Sequence, residues 1–190
     1  MKYTARPLTP ADWKAGREMR LLSLEYYGDI LKDYHRAESR KPPAYWQDKF
    51  RASREQCFFG LFHEGKLIGV CAIRQWEESR DRTVAFGWSN FVLPEHRAHG
   101  AGRFLYKIRT DFAKKHGYRK LVIFTLDGEE PPMRNALKFG GKFLYTTKRI
   151  FDFGPQFFMQ KQSQWHWWGI PLPARQRPGN AKMDTPAYTV

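Results

Sequence analysis

The residues best suited to chemistry lie in the run from Val92 to Arg103, which reads Val-Leu-Pro-Glu-His-Arg-Ala-His-Gly-Ala-Gly-Arg. Its second half has the pattern Arg-x-x-Gly-x-Gly, from Arg97 to Gly102. Two glycines two residues apart let the backbone turn tightly and leave no Cβ between its amides and a ligand. At the start of a helix, such amides and the positive end of the helix dipole form a site suited to a phosphate or pyrophosphate. Arg97 and Arg103 flank the turn and can add charge-assisted hydrogen bonds to phosphate oxygens.

The spacing of the two glycines alone does not distinguish a phosphate site from a plain turn between a strand and a helix. A Walker A loop is excluded, because no Gly-Lys-Ser or Gly-Lys-Thr follows the glycines. The dinucleotide-binding fingerprint is also excluded, because it needs three glycines and a later acidic residue. The sequence around the turn therefore has to decide.

The longer pattern Val-x-Pro-Glu-x-Arg-x-x-Gly-x-Gly, residues 92–102, closely resembles the acetyl-CoA-binding motif of the GNAT family of N-acetyltransferases. The resemblance implies an acyl-CoA-dependent N-acyltransferase that moves an acetyl group from acetyl-CoA, as co-substrate and without a metal, to a primary amine. The amine would attack the thioester directly in a ternary complex.

The resemblance also implies where acetyl-CoA binds. Its pantetheine amides would pair with the backbone near the end of the strand, and its pyrophosphate would lie on the amides of the turn. Asn135, at the start of the last helix, is either a further contact to CoA or a polar residue on the helix surface. The residues assigned to acetyl-CoA are Phe91, Val92, Leu93, Arg97, Ala98, His99, Gly100, Ala101, Gly102, Arg103 and Asn135.

The resemblance does not identify a catalytic residue. Many members of the family place a tyrosine four residues before the closing glycine to protonate the departing thiolate, but Ala136 or Leu137 stands there in this sequence. The strand before the motif offers no carboxylate, so the remaining catalytic candidates are Ser89 in that strand and Tyr145 beyond the last glycines. Five acidic residues in predicted loops could attract a cationic amine or could simply be solvated: Glu77, Glu78, Asp127, Glu129 and Glu130.

A strand must precede the motif and a helix must follow it, and the hydrophobic pattern supplies both. Residues 83–92 form a long, mostly apolar strand, and apolar side chains recur at helical spacing over residues 100–117. The run 119–126 contains consecutive apolar residues, which are typical of a strand buried on both faces. This strand–helix–strand unit predicts a parallel pair of strands with a right-handed crossover.

The remaining pattern completes an α/β protein with the element order of the GNAT (acyl-CoA N-acyltransferase) fold. We expect a mixed, mostly antiparallel sheet of about seven strands with a central parallel strand pair, and about four helices. Helical patterns cover residues 10–27 and 132–139, with shorter segments at 29–38 and 43–54. Strand patterns cover residues 2–6, 58–62, 67–76, 142–153 and 156–161.

The sequence divides into an acyltransferase domain, residues 1–162, and a C-terminal tail, residues 163–190, that is basic, aromatic and rich in proline. We expect the tail to lack regular structure. Three tryptophans fall among residues 165–168; we expect them to pack on the domain, although they could instead stack on single-stranded nucleic acid.

Charge suggests a second class of function. The net charge is +14, and residues 131–190 carry nine basic side chains but only two acidic ones. Such an excess favours polyanionic partners or a negatively charged substrate. The alternative function is therefore a catalytically weak GNAT-fold binding or structural protein whose basic C-terminal third binds nucleic acid or a protein partner, with a steep dependence on salt.

Composition also bears on location. There is no apolar run of eighteen residues and no signal-peptide pattern, and Cys57 and Cys71 lack metal-ligand or redox spacing. We therefore expect a cytoplasmic protein without membrane contact and with reduced, buried thiols. The sequence leaves open whether the acceptor is a small molecule or a protein, and whether the protein is a monomer or a homodimer.

Overall fold

The computed structural model describes residues 2–77, 79–147, 164–173 and 188–189. The strands are β1 (Thr4–Pro7), β2 (Gln56–His63), β3 (Lys66–Gln75), β4 (Val84–Val92), β5 (Lys120–Leu126), β6 (Lys142–Thr147), β7 (Trp165–Pro171) and β8 (Tyr188–Thr189). The α-helices are α1 (Trp13–Glu25), α2 (Lys32–Ser39), α3 (Pro43–Lys49), α4 (Ala101–Lys115) and α5 (Glu130–Lys138). Short 3-10 turns lie at Pro10–Asp12, Gly28–Ile30 and Pro94–His96. The elements predicted before residue 147 are present, with ends that differ by a few residues.

All eight strands belong to one sheet in the order β6-β7-β5-β4-β3-β2-β1-β8. β4 and β5 run parallel, and every other neighbouring pair is antiparallel. The predicted mixed sheet with a central parallel pair is thereby confirmed. The eighth strand is the two-residue β8, which pairs with β1 and which the sequence did not indicate.

β7 corrects the prediction that the chain after residue 161 lacks regular structure. It is hydrogen-bonded between β5 and β6. Side chains on both of its faces are buried, so it shows no alternation of polar and apolar residues. Trp165 and Trp167 are each only 1% exposed, and Trp168 donates from Nε1 to Thr125 Oγ1 at 3.1 Å. The tryptophans therefore pack on their own domain, as expected. The strand predicted at 156–161, and the end of the one predicted at 142–153, lie outside the described residues.

Helices cover both faces of the sheet. α4 and α5 pack on one face, where Leu105, Ile108 and Ala136 join the largest hydrophobic core. α1 and α3 pack on the other face, where Met19 and Trp46 meet side chains of β2, β3 and β4. Side chains from both helical layers, such as Arg20 of α1 and Arg109 of α4, meet beside strands β4 and β5.

Two further observations concern the described part of the chain: its lack of a membrane-spanning helix and the state of its cysteines. None of its helices has the length and hydropathy that crossing a membrane requires. Cys57 and Cys71 are free and buried, and burial raises the pKa of both thiols. Both cysteines are therefore protonated and chemically inert at neutral pH.

Candidate functional site

The central parallel strands pair over a short distance and then separate. The ladder joins residues 84–87 of β4 to residues 120–123 of β5, although both strands continue beyond it. Further along β4, Ser89 and Asn90 stand opposite the single residue Cys71 of β3, and Ser89 has a left-handed φ of 55°. Two residues opposite one form a β-bulge, which bends the strand and increases its local twist. A gap therefore opens between β4 and β5.

A cleft of about 100 Å³ lies at this gap. Its walls come from β4, β5, α1 and α4, together with the chain just after α1 and just after β5 and one residue each of α2, α5 and β7. Most of the lining is apolar, as in sites for small molecules, with a limited number of polar groups. The polar lining residues are Arg20, Ser23, Tyr27, Tyr34, Ser89, Asn90, Tyr106, Arg109 and Glu129.

The turn before α4 presents unpaired backbone amides. The amide of Phe104 is the first to bond back into the helix, to the carbonyl of Gly100 at 2.9 Å. Within the described part of the chain, no acceptor is found for the amides of residues 98–103. Ala98 and Gly100 both have left-handed φ values, 63° and 87°. Successive amides in such a turn, at a helix N-terminus, form a concave site for an anion.

Glycine occurs at the two positions of the turn for different physical reasons. Gly100 caps α4 with a left-handed backbone, which favours glycine whatever the surrounding space. Gly102 lies inside the first turn of the helix, and a Cβ there would meet nothing closer than Asn135 Nδ2 at 3.6 Å. The fold therefore does not require glycine at position 102. A glycine inside a helix costs about 1 kcal/mol relative to alanine, which suggests that the open space serves a ligand.

The free backbone donors begin one residue later than the sequence predicted, because the amide of Arg97 has a partner in the protein. Two nitrogens of its side chain also have partners. Its amide donates to the carbonyl of Pro94 at 3.1 Å, and its Nε donates to the carbonyl of Val92 at 2.9 Å. Its Nη1 reaches the Tyr26 hydroxyl, and the guanidinium lies 4.2 Å from the centre of that ring. The Arg97 side chain thus ties the end of β4 to the end of α1.

The predicted pantetheine partners are also partly engaged within the sheet. Phe91 and Val92 pair with Val70 and Gly69 of β3. The amide of Leu93 donates to the carbonyl of Ile68 at 2.9 Å. β3 lies on the edge of β4 opposite the gap, so this pairing leaves the edge of β4 that faces the gap unpaired beyond residue 87. Of the flanking side chains, Arg103 is exposed and Asn135 lies beside Gly102.

A buried charge network, which the sequence did not reveal, supports Ser89. Arg20 on α1 makes two hydrogen bonds to the Glu38 carboxylate, at 2.8 and 3.1 Å, and its Nη1 donates to Ser89 Oγ at 3.0 Å. Lys49 Nζ lies 3.2 Å from the second carboxylate oxygen of Glu38. Burial raises the pKa of Glu38, but Arg20 and Lys49 together outweigh it and lower that pKa. Burial lowers the pKa of Lys49 to about 8. Arg20 is therefore held in place for its contact with the bulge.

Glu129 follows β5 and lines the cleft. Its Oε2 accepts a hydrogen bond from the amide of Leu126 at 3.1 Å. Burial raises the pKa of Tyr27, and the charge of Glu129 and a hydrogen bond with it raise that pKa further. Tyr27 is therefore a neutral phenol that faces a carboxylate.

The other acidic loop residues that the sequence singled out lie elsewhere, where they are described. Glu77 is 3.3 Å from Arg74, Asp127 is 3.3 Å from His166, and Glu130 is 4.0 Å from Arg134. Glu78 lies outside the described residues. Among the described members of this set, only Glu129 lines the cleft.

The structure separates the two catalytic candidates. Ser89 lines the cleft, whereas Tyr145 does not. Tyr145 lies on β6, where its ring stacks on Trp167 with 5.8 Å between ring centres. The insertion of β7 between β5 and β6 moves Tyr145 one strand away from the gap, which corrects the expectation for this residue. Metal-binding clusters of His, Cys, Asp or Glu are not found among the described residues.

The chain is similar in sequence to one protein family and in fold to many solved structures. The model of the acetyltransferase (GNAT) family matches residues 23–140, more than half of the chain. No curated protein sequence matches significantly.

Three of the similar structures illustrate the likeness. Salmonella typhimurium yncA, solved with its cofactor acetyl-CoA, superposes with a TM-score of 0.71 at 16% identity over 94% of this chain and 99% of that chain. An N-acetyltransferase from Staphylococcus aureus Mu50 superposes with a TM-score of 0.69 at 16% identity, over 90% of this chain and 99% of that chain. The ribosomal-protein-S18-alanine N-acetyltransferase from Escherichia coli superposes with a TM-score of 0.62 at 12% identity, over 95% of this chain and 99% of that chain. At these identities the structures show a shared fold.

Proposed function

Because the chain belongs to the acetyltransferase (GNAT) family, we propose that it transfers an acetyl group from acetyl-CoA to a primary amine by direct attack in a ternary complex. The observation that carries the proposal is the row of unpaired amides at residues 98–103, at the start of α4, the helix whose Tyr106 and Arg109 line the cleft. The acetyl-CoA in the structure of yncA, which shares the fold, supports the choice of co-substrate.

In this proposal the turn before α4 binds the pyrophosphate of acetyl-CoA. Its free amides donate to the phosphate oxygens, and the helix dipole adds a favourable field at low cost in side-chain entropy. Arg103 and Asn135 lie close enough to the turn to contribute further donors. The thioester then enters the gap, and its carbonyl lies near the bulge at Ser89 and Asn90.

Glu129 is the carboxylate that serves the acceptor. Transfer requires a neutral amine next to the thioester carbonyl, so an ammonium group must first lose a proton. Glu129 attracts the ammonium and accepts this proton, directly or through a water molecule. The amine nitrogen then bonds to the carbonyl carbon, and the carbon–sulfur bond breaks to release CoA as a thiolate. The nitrogen loses one further proton as the amide forms, and the thiolate takes up a proton to give free CoA. Tyr27 lines the same cleft, and burial together with the charge of Glu129 raises its pKa, so the phenol stays neutral beside the carboxylate.

Thermal stability tests the nucleotide site directly. A ligand that binds only the folded protein stabilises it, so acetyl-CoA at about 100 times its Kd should raise the Tm by roughly 5–10 °C. Gly102→Leu places a side chain where the pyrophosphate is proposed to lie and should abolish this shift. Gly102→Ala should raise the Tm of the free protein, because alanine favours the helix, while reducing the shift.

The matched control is Lys107→Ala on the exposed side of the same helix, where the side chain contacts Asp111. This variant should keep the full shift. An undiminished shift in Gly102→Leu would contradict the placement of the pyrophosphate. If the unmodified protein gives neither a shift nor acetyl transfer to any primary amine, the proposed function is wrong.

A further inference from the structure

Arg109 on α4 carries a buried charge for which the described residues provide no counter-charge. Its side chain lines the cleft, and the residue is only 1% exposed. Among the described residues, no carboxylate lies within 4.0 Å of its guanidinium. Its Nε is buried without a hydrogen-bond partner.

The position of the guanidinium is defined by the point at which the central strands separate. Gly87 and Ile123 form the last rung of the β4–β5 ladder. A Cβ at Gly87 would lie only 3.0 Å from Arg109 Nη1, so the absence of a side chain there makes room for the guanidinium. Arg109 Nη2 donates to Asn90 Oδ1 in the bulge at 3.2 Å. The guanidinium therefore lies at the closed end of the gap.

Neutral neighbours hold this group but do not neutralise it. The guanidinium lies 4.7 Å from the centre of the Tyr106 ring, and the charge of Arg109 opposes the effect of burial on the pKa of that phenol. Glu129 lines the same cleft, but its described contacts are with the Leu126 amide and Tyr27. Burying an unpaired charge is costly, whereas a bound anion would recover part of that cost.

We propose that Arg109 binds a carboxylate group of a substrate, so that the cleft selects a reactant with a free carboxyl near the reacting atoms. The planar guanidinium matches a carboxylate better than it matches an ammonium or a neutral group. This inference rests on the proposed acyl transfer. The carboxylate belongs either to the acceptor, as in an amino acid, or to the acyl group, as in the thioester of a dicarboxylic acid.

Matched substrate pairs distinguish the two sources. In the acceptor arm, acetyl-CoA is offered with a panel of amino acids and with their amides. In the donor arm, succinyl-CoA is compared with butyryl-CoA on one fixed amine. The carboxylate-bearing member of one arm should have a kcat/KM roughly tenfold or more above that of its neutral partner, because a site built around a charged group rejects the analogue that lacks it.

Arg109→Gln should remove this preference, because it should lower kcat/KM for the carboxylate-bearing partner at least roughly tenfold more than for the neutral partner. Lys107→Gln, on the exposed side of the same helix, should retain the preference. Since Arg109 is buried, its replacement could disturb folding, so a binding test on the unmodified protein accompanies the kinetics. With CoA present, succinate should raise the Tm more than succinamide at the same concentration.

Two outcomes would overturn the assignment. One is equal kcat/KM for both members of each pair, together with equal effects of succinate and succinamide on the Tm. The other is a folded Arg109→Gln variant that loses the same fraction of kcat/KM for charged and neutral substrates, which would limit Arg109 to positioning Asn90. If acetyl-CoA still raises the Tm and neutral amines are still acetylated, only this inference fails and the proposed function stands.

Discussion

The β-bulge at Ser89 and Asn90 is hydrogen-bonded by two arginine side chains, one from each face of the sheet. Arg20, on α1, donates to Ser89 Oγ, and Arg109, on α4, donates to Asn90 Oδ1. A non-glycine residue with a left-handed backbone, such as Ser89, costs of order 1–3 kcal/mol and persists only where its surroundings enforce it. The bulge that opens the gap is thus maintained by two arginines that also line the cleft.

The role of Glu129 can be tested by one substitution. Glu129→Gln keeps the size of the side chain but cannot accept a proton, so kcat should fall by roughly 10²-fold or more. The Tm shift with acetyl-CoA should stay the same, because the substitution leaves the free amides of residues 98–103 unchanged. The deficit should shrink as the pH approaches the pKa of the free amine, since less acceptor then needs deprotonation.

Glu130→Gln is the matched control. Glu130 is the next residue in the chain, and its carboxylate is exposed and faces Arg134. Steady-state kinetics at several pH values should leave this variant close to the unmodified protein. If the two variants lose activity equally, or if Glu129→Gln keeps full activity at neutral pH, Glu129 is not the proton acceptor.

At the scale of elements, the start of α1 is fastened to β1. Asp12 accepts hydrogen bonds from the amide and the hydroxyl of Thr9, each at 2.8 Å, and from both terminal nitrogens of Arg6, also at 2.8 Å. These contacts fix the direction in which α1 leaves the sheet. Since α1 carries Arg20, the same contacts help to place its guanidinium at the bulge.

Acid should weaken this junction. The hydrogen bond from Arg6 is the main reason why the pKa of Asp12 is lower in the folded protein than its ordinary value. A carboxylate with a depressed pKa contributes stability above the unfolded pKa and loses it as the pH falls through the folded pKa. Asp12→Asn should therefore lower the free energy of unfolding by about 1 kcal/mol at pH 7. The difference should shrink as the pH falls below about 4.

Urea unfolding at pH 7 and pH 3 measures this effect. Asp48→Asn provides the control, because Asp48 is strongly exposed and contacts Arg51 at 3.6 Å on the protein surface. That substitution should change the free energy of unfolding little at either pH. A deficit of Asp12→Asn that is the same at both pH values would show that ionisation of Asp12 does not stabilise the junction.

At the scale of the whole molecule, the C-terminal part of the chain contributes to the sheet itself. β7 makes the antiparallel partner of β5 and also pairs with β6, so it connects the central strands to one edge. The net charge of +14 still predicts a polyanionic partner. The tryptophans of β7 do not supply a free surface for it, because their side chains are buried.

Truncation should separate these contributions. A chain that ends at residue 162 lacks β7 and exposes the apolar edge of β5, so it should lose its cooperative thermal unfolding. A chain that ends at residue 173 keeps β7 and loses only the two-residue pairing of β8 with β1 among the described contacts. That chain should still unfold cooperatively, with a lower Tm. Near-ultraviolet circular dichroism of the tryptophans would report both results, and cooperative unfolding of the shorter chain would contradict a structural role for β7.

Much of the fold and the turn before α4 could be predicted from the sequence, because their signals are local. These signals follow one another directly in the sequence: first the strand that ends at Val92, then the two glycines of the turn, and then the apolar periodicity of α4. Each depends mainly on backbone preferences and on neighbouring side chains. β7 escaped prediction because side chains on both of its faces are buried, which removes the alternation that identifies strands in sequence.

The sequence by itself determined the element order up to β6, the position of the turn that we propose binds the pyrophosphate, and the resemblance to an acetyl-CoA motif. Only the tertiary structure placed Arg20, Glu129 and Arg109 around one gap, moved Tyr145 away from it and engaged Arg97 with the end of β4. These residues come from distant parts of the chain, and their meeting depends on strand order, on the register at the bulge and on the packing of helices against two faces. Charge and hydrogen bonding act through space, so contacts of this kind leave no pattern along the sequence.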